Sequence, residues 1–219
     1  MIQQSTFDFL NKLKKNNNKE WFDKNRDTYE LAKKDFRAFI DELIQFTAKF
    51  DPAIKMLEAK DCVFRINRDI RFSNDKTPYK TNMGASISPG GKKSFSAGDY
   101  FHLHPGASFL AGGMWQPPAP QLSAIRQEID YNAAEFKKTT NNREFKKQFG
   151  CFSAAAPVQT TPKGYEKTHP EIEHLKLKSF IVVRNLKDKE VLSKDFLKEA
   201  AATFKALHPL DLFLRKACD

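Results

Sequence analysis

Apolar residues recur every three or four positions toward both ends of the chain and every second position in between. Phe7, Phe9, Leu10 and Leu13 form a short helical stripe, opened by Ser5 with Asp8 and closed by the polar run Asn16–Asn18. Asn18 then caps a longer helix, in which Trp21, Phe22, Tyr29, Phe36, Phe39, Ile40, Leu43, Ile44 and Phe50 keep the spacing until Asp51-Pro52 ends it. From Cys62 the period changes to two. Cys62, Phe64, Ile66, Ile70 and Phe72 fall on one side of a strand and Arg65, Asn67, Asp69 and Arg71 on the other, with Arg68 alone out of phase.

Pro78 and a series of glycines punctuate the next stretch into three short strands, Met83 to Ser88, Tyr100 to His104 and Ser108 to Trp115. Leu122, Ile125 and Ile129 return to helical spacing, Asn132 with Glu135 restarts it as a capping box, and a further helix runs from Arg143 to Gly150. Residues 153–170 carry three prolines and read as a loop; Ser179 to Val183 reads as a buried strand. Ser193 caps a helix bearing Phe196, Leu197, Ala200, Ala201, Phe204 and Leu207, which His208 ends before Pro209 opens a last turn through Leu214. This order predicts an α+β fold, a largely antiparallel sheet flanked by helices with long N-terminal and C-terminal helices, in a single domain over residues 1–219.

A chain of 219 residues, 40% hydrophobic and with 20 phenylalanines, can bury a core without disulfides or metals. Cys62, Cys151 and Cys218 have no paired short spacing, which points to a reducing compartment, the cytoplasm by default. No run of about 18 apolar residues occurs, and the first residues lack the basic segment and apolar run of a leader, so no membrane association is expected. A formal net charge of +10 makes acidic partners plausible.

The charge is concentrated between Lys60 and Lys80, where six basic residues meet three acidic ones. Two guanidiniums about 6 Å apart repel by roughly 3 kcal/mol at an effective dielectric near 20, so such a cluster calls for internal carboxylates or a bound anion. The Lys76-Thr-Pro-Tyr-Lys80 turn adds neutral donors beside two ammonium groups. Arg65, Asn67, Arg68, Arg71, Lys76, Tyr79 and Lys80 are therefore the candidate anion-binding residues, for a phosphorylated or carboxylated small molecule. The competing reading is a framework network that Asp69, Asp75 and distant acids neutralise.

No phosphate-cradling glycine loop or dinucleotide fingerprint is present, and no cofactor is indicated. A Gly-x-Ser-x-Gly elbow is also missing, and no catalytic residue is assigned. His102 and His104, two apart on a strand, share a face, but spacing marks no third ligand and no metal site is assigned; His102 is kept as a possible additional site residue. Two alternatives stand beside anion binding. One is a non-catalytic nucleic-acid or protein interaction module, less favoured for want of any recognition signature; the other is a metal-assisted hydrolase using His102 with a carboxylate.

The segments Asn16–Phe22, Phe64–Lys80, His104-Pro-Gly106 with Gly112-Gly-Met-Trp115, and Leu177–Phe180 together resemble the bacterial and fungal family called domain of unknown function 2461, in the same order from about Phe7 to Leu214. The resemblance implies one intact, intracellular family domain and carries with it no reaction, ligand or catalytic residue. Its most recognisable block falls on Arg65 to Lys80. His104 departs from the acidic or amide residue common before Pro-Gly, which leaves His102 the stronger histidine.

Overall fold

A computed structural model describes residues 1–150, 152 and 160–218; Cys151 and part of the loop expected over 153–170 lie outside the described residues. Helix α1 (Gln4–Lys15) turns at the Asn16–Asn18 run into α2 (Lys19–Lys24), whose N-cap is Asn18, its side chain accepting from the Trp21 N–H. The single long helix expected from Trp21 to Phe50 is two. Asn25 closes α2 and opens α3 (Arg26–Thr47), and its side-chain amide donates to the Trp21 carbonyl at 2.8 Å, a local bond that competes with continued winding. Asp51 then caps a 3-10 turn at Pro52–Ile54, and α4 (Ala59–Cys62) follows.

The sheet is antiparallel throughout. Strands β1 (Met83–Ile87), β2 (Gly98–Leu103) and β3 (Phe109–Met114) form a meander, and β4 (Phe180–Asn185) pairs with β3 after a long helical excursion, giving the order β1-β2-β3-β4. That excursion contains α5 (Ala119–Tyr131), α6 (Ala133–Thr140), α7 (Arg143–Phe149) and α8 (Ile172–Leu175); a one-turn α9 (Asp188–Val191) and the long α10 (Phe196–Lys216) follow β4. Asn132 does separate α5 from α6, but its amide turns back onto Glu128 at 2.9 Å instead of capping α6. Ser193 accepts from the Asp195 N–H one turn before α10 begins. Pro209 does not open a separate turn. It sits inside α10, where Leu207, Leu210 and Leu214 are buried on either side of it, so packing carries the helix across the one missing N–H.

Registers assign the two faces of the sheet. Ala85, Phe101, Leu110 and Val182 point inward, where α3 and α10 cover them. Phe36, Phe39, Phe101 and Phe196 meet there with ring centroids 5.3–5.6 Å apart, and each such buried ring contributes on the order of 2–3 kcal/mol. A second cluster joins Phe136, Phe145, Phe180 and Phe213 beneath α5–α7. On the opposite face lie Gly84, Ser86, Tyr100, His102, Phe109, Ala111, Ile181 and Val183. No helix is long and apolar enough among the described residues to cross a membrane.

Candidate functional site

The strand expected over 62–72 is not one. Cys62 ends α4, and beyond it only single bridges form, Val63 with Ala85 and Asn67 with Tyr79. Backbone bonds from Phe64 to Gly84, Arg68 to Pro78 and Lys80 to Ile66 make residues 63–85 an irregular, open hairpin. The period-two pattern holds at Cys62 and Ile66, both buried, and fails by Phe72, which is 95% exposed. The cause is local. Asp69 Oδ1 accepts from the Arg71 N–H and Asp75 Oδ1 from the Thr77 N–H, turns in which short carboxylates outcompete a ladder. Asn17 takes the place of a neighbouring strand at Tyr79, its amide donating to the Tyr79 carbonyl at 2.9 Å and accepting from the Tyr79 N–H at 3.1 Å.

The candidate residues part company on this hairpin. Tyr79 is 6% exposed and stacks on Phe22 at 3.9 Å, so its ring belongs to the core. Arg68 donates to Asp75, Thr77 and Ser73. Arg71, 75% exposed, forks onto Asp69 at 3.0 and 2.7 Å, which holds that carboxyl below its usual range. Lys76 donates to the Ile70 carbonyl at 3.1 Å and Asn67 lies exposed along the hairpin. Arg65 differs: exposed, its guanidinium has neither a hydrogen bond nor an ion pair among the described residues. Its carbonyl accepts from Lys80 Nζ at 3.0 Å, and burial, then the Arg65 charge, push the Lys80 ammonium below its usual range.

Arg65, Arg68 and Lys80 line a concavity of about 500 Å³ with Phe64, Asp69 and Tyr100. Arg71, Lys76, Asn67 and Tyr79 are not on its wall. Both acids near the cluster are engaged, Asp69 by Arg71 and Asp75 by Arg68 and Thr77, which lowers Asp75 to about 2. Arg65 and Lys80 therefore face this hollow with no ion pair of their own among the described residues; Asp69, on the same wall, is clasped by Arg71 and feels the Arg65 charge only as a lesser influence.

Tyr100 was not legible from charge. Its hydroxyl bonds His102 Nδ1 at 3.1 Å, and a Cβ at Gly84 would come within 2.5 Å of that hydroxyl, so an alanine there would displace the end of the ring at the sheet edge. His102 stacks on Phe109 at 4.5 Å, and burial together with His104 lowers it to about 4, so it is neutral at pH 7. Among the described residues no group of three or more His, Cys, Asp or Glu is placed to hold a metal. A second hollow of about 510 Å³ begins at Phe64 and Tyr100 and crosses Ala111, Ile181 and Val183 toward Trp115.

Away from the hairpin, four charged groups that the sequence does not bring together sit in the core. Arg215 forks onto Asp51 at 3.0 and 2.8 Å and donates to the Ala97 carbonyl at 2.9 Å. Asp99 and Asp211 are buried nearby, each with one oxygen lacking a hydrogen-bond partner among the described residues. Burial and the neighbouring carboxylates outweigh Arg215 and raise both, Asp211 to about 7. The signal was present: Asp99 occupies an inward strand position beside Phe101, and Asp211 lies four residues beyond Leu207 on a buried stripe.

No curated protein and no solved structure matches the chain. A family model described as conserved hypothetical protein (DUF2461) matches residues 5–213, nearly the whole sequence and all of the hairpin and sheet described above, and the chain belongs to that family.

Proposed function

We propose that this protein binds a small phosphorylated or carboxylated molecule at the concavity lined by Arg65 and Lys80. The observation that carries the reading is the Arg65 guanidinium, left without an acceptor beside a second cation in a hollow large enough for a metabolite. Arg68, fixed by Asp75 and Thr77, supplies a positioned positive wall, and Arg71, Lys76 and Tyr79 hold the hairpin that presents it. The reading covers binding and assigns no reaction. A cytoplasmic setting fits it, since phosphorylated metabolites and the free, buried Cys62 thiol both suit a reducing interior.

The test is a thermal-shift series with inorganic phosphate, sugar phosphates, carboxylates and short oligonucleotides at two ionic strengths. A bound anion raises the melting temperature, and Arg65→Gln, which removes no side-chain hydrogen bond or ion pair among the described residues, abolishes the rise while leaving the unliganded melt in place. A rise that survives Arg65→Gln unchanged contradicts the assignment. Stabilisation only by oligonucleotides, falling steeply with salt, marks a nucleic-acid surface instead.

A further inference from the structure

We propose that the ligand is an aromatic phosphate monoester, its phosphate held at Arg65 and Lys80 and its ring lying across the outer face of the sheet; this rests on the anion reading above. The two hollows are neighbours, since Phe64 and Tyr100 belong to the walls of both. Positive charge gathers at one end. Lys92, the cation on the wall of the second hollow, donates its ammonium to the Lys60 carbonyl, and His102, on neither wall, is neutral. Two adjacent cations suit a dianion better than a single carboxylate.

The other end is built for a flat apolar body. Ala111, Gly113, Ile181 and Val183 make a low floor across β3 and β4, and β4 is an edge strand on which Ile181 and Val183 are only half-buried. Aromatic side chains surround that floor. Phe109 is already stacked against His102, while Phe95 and Trp115, 62% and 57% exposed, stand at the far end. Large rings left in water beside an apolar floor are the mark of a surface that something covers. Trp115 is also held in place: Gln116 takes a left-handed φ of 43° and its N–H donates to Ser179 Oγ at 2.9 Å, a strained turn fixed by a hydrogen bond. At about 4.8 Å per strand, the face from β1 to β4 spans roughly 14 Å, enough for a fused ring and its phosphate.

Calorimetric titration of the full chain with inorganic phosphate, 1-naphthyl phosphate, 1-naphthol and octyl phosphate tests this. Naphthyl phosphate is expected to bind at least ten-fold more tightly than inorganic phosphate, naphthol or octyl phosphate. Ala111→Leu, which raises the floor, and Trp115→Ala, at an exposed ring, each weaken naphthyl phosphate toward the level of inorganic phosphate without weakening inorganic phosphate itself. Equal affinity for phosphate and naphthyl phosphate overturns the ring surface and leaves the Arg65–Lys80 reading standing. Octyl phosphate binding as tightly as naphthyl phosphate overturns the aromatic assignment, and naphthol doing so overturns the anchoring phosphate. Absence of binding by every anion overturns both readings.

Discussion

Two charged clusters solve opposite problems in this fold. Around Arg215, three carboxyls (Asp51, Asp99 and Asp211) are buried with one guanidinium, and the excess negative charge is relieved by keeping protons, as the raised Asp99 and Asp211 show. Around Arg65, the excess is positive and the site is open, so neither burial nor proton loss removes the charge: arginine does not deprotonate, and Lys80 is only displaced below its usual range. A sealed cluster adjusts its own protonation. An open one is left able to take its missing counter-charge from solution. That difference separates a structural network from the binding site proposed here, although both are made of the same residue types.

Breaking the sealed cluster has the largest expected effect. Arg215→Ala leaves Asp51 buried without its partner and is expected to cost about 3–5 kcal/mol in urea unfolding; a change below about 1 kcal/mol would show the pair to be incidental. Next comes the covered face of the sheet. A Cβ at Gly112 would lie 1.9 Å from the Leu207 side chain and 2.9 Å from the Gly98 carbonyl, so Gly112→Ala should lose about 1–3 kcal/mol. Gly84→Ala, on the open face, meets only the far part of the Tyr100 ring and should lose less, with its effect visible in ligand binding.

Asp211→Asn gives a smaller effect whose sign depends on pH. Asp211 ionises near 7 when folded and near 4 when unfolded, so its favourable contribution is complete below about pH 4 and disappears as pH rises through about 7. The amide cannot ionise. Relative to the parent, Asp211→Asn is therefore expected to gain stability between pH 4 and pH 8, read from urea melts at the two pH values; a constant difference across that range would place the charge elsewhere.

Much of the fold is legible in the sequence. Segments set off by glycines and Pro78 at Met83, Tyr100 and Ser108 locate β1–β3, and the apolar run Ser179 to Val183 locates β4. The segment that looks most like a strand is the failure. Residues 64–72 alternate apart from Arg68, yet only Ile66 among them is buried, and Asp69 and Asp75 give the backbone nearer partners. Alternation reports a strand only where a core lies beneath it. Charge likewise marks the hairpin as a whole without separating Arg65 from Arg68 and Arg71, since the carboxylates that clasp the latter two are settled by loop geometry. The groove over Tyr100, Phe109 and Trp115 depends on strand register, a long-range relation that local composition does not carry.

The most direct measurement compares Arg65→Gln with Arg71→Gln by calorimetric titration of inorganic phosphate. Both substitutions remove one positive charge from the same hairpin, but only Arg65 lines the concavity, while Arg71 is tied to Asp69 at the surface. Arg65→Gln is expected to weaken phosphate at least ten-fold, about 1.4 kcal/mol, and Arg71→Gln less than two-fold. Equal losses in the two variants would mean that phosphate answers to net charge alone, and would contradict a site built around the unclasped guanidinium.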